Sequence, residues 1–360
     1  MKCLDNLDRI NYPKELVCLL TKLYTFKGKD FYYEDVLKNY MSGIIKQTIC
    51  RDSFYAAKIL GLSVTDNRMR LIIKKNATPK TKDEKILANL KSVFEIIQDK
   101  GVDLELTSNE FLHLATRIFA GSKEIGFTTE IVDVYENLLT IKKKISKRDA
   151  LDTEIKKYKT ALNSLNIEPT QVITNMYIDL LHMNCFDSYN DFISLMIEYC
   201  LLFSQRFNVF KYISFFEEYY NKMKEFSTAT VSAGFDWDKG FAQTAMLNQL
   251  TIKVLLESYE HVEGMVDDFI FDKKLKKVDN VGAVIMKMPQ VFTREMIKEQ
   301  CPQLSDSTIN RALKRLKDEN KIRPNGTGRT ATWVKLVEEE MFSTRGRQTD
   351  IFDFIGIEDD

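Results

Sequence analysis

The stretch NCFDSYNDFISL (184–195) sets amides, two carboxylates and hydroxyls between two strongly apolar segments, MYIDLLHM and MIEYCLLF. A polar turn at such a place is either plain turn chemistry or a site where something is bound. If it is catalytic, His182 or Asp187 could take up a proton. A second set of chemically useful residues lies in SDSTINRALKRLKDENK (305–321). Ser307, Thr308, Asn310, Arg311, Lys314 and Lys317 fall on the polar side of a helical repeat, suited to phosphate oxygens and base edges. Six cysteines are scattered without a C-x-x-C pair, which predicts reduced thiols and neither a disulfide framework nor a zinc site.

Helices must carry these groups. Gly (14) and Pro (6) are scarce in 360 residues, so a mainly α protein is expected. Leu16, Leu19, Leu20 and Leu23 make one apolar stripe, and Val36, Leu37, Tyr40, Ile44, Ile45 and Ile49 make another. A loop over 74–85 leads to a helix on which Ile86, Leu90, Val93, Phe94 and Ile97 share a face. Thr107 or Ser108 can cap the next helix, which ends near Gly121, and a further helix is expected from about Ile131. The Lys-rich span 141–160 alternates both signs and reads as a solvated helical face or connector. From Pro169 to Phe226 the chain is densely apolar and aromatic, the expected centre of the core. A helix near 241–260 closes this part, and 267–280 reads as a charged link. Lys plus Arg and Asp plus Glu are each 52, so no global charge argues for nucleic acid or membrane. MKCLDNLDRINY lacks a signal peptide's apolar run, and no apolar span of about 18 residues occurs, so a cytoplasmic protein with no membrane partner is expected.

Beyond the link, Val281, Val284, Ile285 and Met288 share a face, Thr293 can cap a second short helix, and Ser305 a third. On the third, Ile309, Ala312, Leu313 and Leu316 face inward. KIRPNGTGRTATWVKL then supplies two short strands around a glycine-containing tip. The pattern predicts a winged helix over 279–337. From 305 to 335 eight basic residues face three acidic ones, so this unit is expected to contact DNA, with Arg323 and Arg329 joining the helix residues named above. Winged helices also serve as protein-binding modules, and that alternative stays open.

Several stretches together resemble the Fic family of nucleotidyl transferases, in the subgroup with a C-terminal winged helix. ELVCLLTKLYTFKGKDFYYEDVLKNY is similar to that family's first helices, and AAKILGLSVTDNRMRLII (56–73) to the segment bearing its inhibitory motif, [ST]-x-x-x-E-[GN]. IEPTQVITNMYIDLLHMNCFDSYNDFISLMIEYCLLF resembles the helix, active-site loop and anchoring helix around H-P-F-x-[DE]-G-N-G-R-x-x-R, with FKYISFFEEYYNKM and the 305–321 helix following in order. The collinear likeness runs over roughly 14–336. It implies a Fic-like helical bundle followed by a C-terminal winged helix-turn-helix domain with a small β-wing.

Residue by residue, the resemblance implies a degenerate site. Asn184 stands where the family has its general-base histidine, and an amide cannot accept that proton. Cys185 replaces the proline, Phe186 is kept, and Ser188 takes the Mg²⁺ ligand's position, with Asp187 one residue early. Tyr189 and Asp191 replace the two glycines around the matching Asn190, and Phe192 and Leu195 replace the two arginines. Loss of a general base costs roughly 10²–10⁴ in rate, and loss of a phosphoryl-stabilising charge roughly 10³–10⁵. In the inhibitory motif, Ala56 and Leu60 replace the hydroxyl residue and the glutamate, with Gly61 retained, so Leu60 and Leu195 could pack where an ion pair would be. AGSKEIGFTTE is too short for the β-hairpin flap that docks the family's targets.

The expected organisation is an N-terminal helical region (1–100), a Fic-like core (101–266), the winged helix (279–337) and a tail (338–360). In the tail, Gln348, Asp350, Ile351 and Phe352 resemble the Q-x-[DS]-[LI]-F motif that binds the bacterial sliding clamp, though the segment also reads as a plain acidic tail. The functional expectation is a regulatory or scaffolding protein that binds DNA or protein and needs no cofactor. The alternative is a diverged enzyme transferring AMP to a protein hydroxyl, which would require ATP and Mg²⁺.

Overall fold

In the computed structural model, which describes residues 3–9, 13–135, 142–164, 166–274, 277–301, 305–326 and 332–336, the chain divides into two units, Met1–Glu263 and Gly264–Asp360. After a 3-10 turn at Cys3–Arg9, the first unit builds α1 (Lys14–Lys27), α2 (Asp30–Leu37), α3 (Met41–Ile59), α4 (Asp66–Lys75), α5 (Lys82–Lys100) and α6 (Ser108–Phe119). There follow β1 (Ile131–Tyr135), β2 (Lys142–Ser146), α7 (Lys147–Asn163), α8 (Pro169–Met183), α9 (Asn190–Ser204), α10 (Phe215–Asn221), α11 (Met223–Gly234) and α12 (Ala245–Lys274), of which residues 245–263 belong to this unit. The starts are set by side-chain caps: the hydroxyls of Thr81, Thr107, Ser146 and Ser214 accept from the backbone N–H groups of Glu84, Glu110, Asp149 and Glu217.

Apolar residues on every side mark a helix for the interior. That is the case for α8 and α9, whose Val172, Ile173, Met176, Ile178, Ile193, Met196 and Ile197 are fully buried. α7 and α11 pack on α8, while α3 lies against α5 and α10. Deep in this core the Asp52 carboxylate accepts from Ser214 Oγ (2.6 Å), the Phe216 N–H (3.1 Å) and the Tyr199 hydroxyl (3.1 Å). Gln98 Nε2 completes the network, donating to Tyr199 and to the Phe210 carbonyl. The network thus joins α3, α5, α9 and α10. Asp179 of α8 does similar work, accepting from the backbone of Cys3 and Leu4 and from Trp237 Nε1.

Two expectations are corrected here. Where a helix was expected from about Ile131, an antiparallel hairpin forms, with Ile131 opposite Ser146 and Tyr135 opposite Lys142. IVDVY is β-branched and aromatic, and Ser146 caps α7 only afterwards, so the Lys-rich span begins as a strand. Residues 267–274 continue α12 as helix, where a charged link was expected, and α13 starts at Lys277.

The second unit contains α13 (Lys277–Lys287), β3 (Val291–Phe292), α14 (Arg294–Gln300), α15 (Asp306–Asp318), β4 (Ile322–Asn325) and β5 (Thr332–Lys335). Its sheet is antiparallel in the order β3-β5-β4, with Val291 opposite Val334 and Ile322 opposite Lys335. Val281, Ile285, Phe292, Ile297, Ile309 and Leu313 form its core, with Trp333 packed against it. No helix among the described residues is long and apolar enough to cross a membrane.

Burial pushes the Asp52 carboxyl up to about 7, against its three hydrogen bonds, from an ordinary value of 3.8. A folded pKa above the unfolded one contributes stability that is full below about pH 4 and lost as pH rises through about 7. Between pH 5 and pH 8 the protein should therefore lose on the order of 2 kcal/mol relative to Asp52→Asn, whose side chain cannot titrate, as read by urea unfolding at both pH values.

Candidate functional site

α8 ends at Asn184, whose left-handed backbone (φ 45°, ψ 60°) turns the chain out of the helix, and α9 begins after Tyr189, also left-handed at φ 55°. Between them the Asn190 side chain clips the loop shut. Its Oδ1 accepts from the Phe186 N–H (3.3 Å), and its Nδ2 donates to the Leu180 and Leu181 carbonyls (3.4 and 3.3 Å). Lys147, also buried, donates to the Met183 carbonyl at 2.5 Å. Free carbonyls at a helix end need such donors.

The segment after α6 docks along this loop. Gly126 and Asp187 exchange hydrogen bonds, Gly126 N–H to Asp187 Oδ2 (3.1 Å) and Asp187 N–H to the Gly126 carbonyl (3.0 Å). Thr128 donates from its backbone to Cys185 (2.9 Å) and from its hydroxyl to the Asn184 carbonyl (3.3 Å), while Phe127 stacks on Phe186. The chain between α6 and α7 thus includes a docked strand-like segment and the β1–β2 hairpin, so the expectation that a hairpin would not fit there is overturned.

A cavity of about 490 Å³ opens over the loop, lined by Asn184 and the 186–192 segment, and by Leu195, Ile59, Leu60, Tyr177 and Tyr219. Leu60 and Leu195 therefore reach one cavity from α3 and α9. Ala56 is fully buried one turn earlier. Gly61 follows at φ 66°, and Gly61 and Leu62 N–H groups return to the Lys58 and Ala57 carbonyls, so this glycine ends α3. Cys185 is buried; Tyr189 lies over the rim, stacked on Phe119 at 4.1 Å. His182 is not among the lining residues: its ring stacks on Trp237 at 5.1 Å, and burial there lowers its pKa. Asp187 does line the cavity, with one oxygen already bonded to Gly126. Among the described residues no three His, Cys, Asp or Glu side chains converge to hold a metal ion.

Among solved structures, Fic proteins are similar to this chain. A Fic domain containing signaling protein from Bacteroides thetaiotaomicron VPI-5482 is 15% identical over 68% of this chain and 96% of its own, with a TM-score of 0.48. Fic-1 from C. elegans is 11% identical over 68% of this chain and 71% of that one, with a TM-score of 0.46. No family model matches the sequence, and no curated protein matches it.

Sequence reasoning missed Tyr177, Tyr219 and Ile59. They lie on α8, α10 and α3 within apolar runs, where nothing in their spacing separates a cavity wall from core.

In the second unit, Ser307, Asn310, Arg311, Lys314, Lys317 and Arg323 are exposed, and Thr308 is half-buried beside Ser305. Arg315 and Lys321 pair with Glu319, whereas Arg311, Lys314 and Lys317 make no ion pair among the described residues. Arg329 and the tail residues Gln348, Asp350, Ile351 and Phe352 lie outside the described residues.

Asn190→Ala should free two carbonyls and the Phe186 N–H at once. A loss of about 2–3 kcal/mol in urea unfolding is expected, at about 1 kcal/mol for each hydrogen bond.

Proposed function

We propose that this chain is a Fic-like protein that has lost nucleotidyl transfer and acts as a regulatory or scaffolding protein, with a winged helix in its second unit that contacts DNA. One observation carries the first half. Among the described residues, no histidine, lysine or arginine lines the cavity over 184–195, so neither a neutral-pH base of the family's type nor a phosphate-pairing cation stands among them. The motif resemblance supplies the ancestry, and Asn190 and Gly61, its retained polar and glycine positions, are both engaged in closing backbone turns. Residues kept for folding and lost for chemistry are what a degenerate site leaves behind.

The DNA reading rests on the exposed Arg311, Lys314 and Lys317 of α15, which make no ion pair among the described residues, in a unit whose three-stranded sheet has β4 leading into Gly326 at φ 102°. Phosphates are the natural partner for such a face, and Asn310 and Arg311 could reach base edges. The tail would offer a route to the sliding clamp, and a cytoplasmic location fits both contacts. A second reading is favoured by the persistence of the cavity itself: a diverged AMP transferase with Asp187 as base or Mg²⁺ ligand.

Incubation of the full chain with α-labelled ATP and Mg²⁺ or Mn²⁺ should leave it and lysate proteins unlabelled; robust labelling would establish the second reading instead. Duplex DNA binding should weaken steeply with salt. Arg311→Ala with Lys314→Ala should reduce the slope of log K against log salt by about 2, from roughly 0.9 per phosphate contact. A salt-independent or unaltered affinity would remove DNA from the reading.

A further inference from the structure

A cavity that has shed its cations has not become neutral. Its charged lining residues are Asp187 and Asp191, both carboxylates, and the rest of the wall is amide, hydroxyl, aliphatic and aromatic. Behind it lies a third acid. Asp191, Leu195 and Glu198 fall at i, i+4 and i+7 on α9, the face whose first two members line the cavity. Glu198 is 3% exposed and has no hydrogen-bond partner among the described residues, and it lies near enough to Tyr177 and Tyr219, both in the cavity wall, for a charge on it to act on them. A buried carboxyl without a partner is costly to ionise; burial pushes Glu198 up to about 8.

We propose that this cavity takes an organic cation, an alkylammonium or guanidinium group, where a nucleotide's phosphates would be repelled. The inference rests on the reading of the site as having lost phosphate chemistry. Two carboxylates at the loop oppose a diphosphate and attract a cation, and an arriving cation lets Glu198 ionise beneath it. Tyr177 and Tyr219, whose phenols hydrogen-bond each other, add polar oxygens to the wall, and Phe186 and Phe192 add aromatic surface. Lys123 already displays that preference at the rim, with its ammonium 5.8 Å from the Tyr189 ring centroid. A divalent metal fits less well, since no three ligating side chains converge among the described residues. The volume, about 490 Å³, suits a small molecule or a single side chain.

The test is calorimetric titration of the full chain with 1,4-diaminobutane, with Nα-acetyl-lysine amide, with MgCl₂ and with ATP. Saturable binding of either amine is expected, weakened at least tenfold by Asp191→Asn and by Glu198→Gln, with circular dichroism confirming that each variant is folded. Asp191 is exposed, so its amide variant keeps the test alive if the buried one misfolds. Tighter binding of the diamine assigns the cation to a free small molecule, and tighter binding of the lysine derivative assigns it to a protein side chain. No amine binding, amine binding indifferent to both variants, or binding of Mg²⁺ alone would overturn the inference while leaving the loss of transferase activity standing. Labelling by ATP would instead sink the reading beneath it.

Discussion

One carboxamide closes the loop on which this site depends. With α8 broken off at Asn184, the carbonyls of Leu180 and Leu181 and the N–H of Phe186 would be left facing a largely apolar interior. Asn190 satisfies all three from the first turn of α9, and few other side chains offer a donor and an acceptor on so short a stem. The loop's course follows from that clip, since Phe186 is drawn inward to stack on Phe127 and Tyr189 is carried outward onto Phe119. The cavity is what remains between them.

A second layer of constraint is acidic. Asp52 ties α3 to α9 and α10 through three accepted hydrogen bonds, with α5 added through Gln98 and Tyr199, and Asp179 holds the amino-terminal turn and Trp237 onto α8. Burial raises both carboxyls, to about 7 and about 6, because their donors are neutral and offset only part of the lost hydration. Donors that are N–H and O–H groups, with no lysine or arginine among them, orient the helices without demanding a buried ion pair.

Electrostatics separate the two units. In the first, basic residues near the loop are spent on structure: Lys147 on the end of α8 and Glu130, Lys58 on Asp66, Lys123 over Tyr189. The second leaves Arg311, Lys314 and Lys317 without an ion pair among the described residues, on one exposed helical side. Acidic residues therefore line the first unit's cavity and basic ones stand exposed on the second unit's α15, a division that the balanced total of 52 and 52 conceals.

What the sequence determined by itself was mostly local. Periodicity fixes α5 and α15 because an amphipathic stripe needs only residues a turn apart, and Thr107, Thr293 and Ser305 announce their caps for the same reason. The identities at 184–195 could also be read directly, including an amide at Asn184 that cannot take up a proton. The β1–β2 hairpin was not legible, since IVDVY and KKKIS are too short to tell strand from helix until they pair. Only the tertiary structure decided that Asn190 closes the loop, that His182 turns to Trp237, and that Leu60 and Leu195 meet Tyr177 and Tyr219 around an open cavity. Those are relations between side chains far apart in sequence, and they exist only once packing has brought α3, α8, α9 and α10 together.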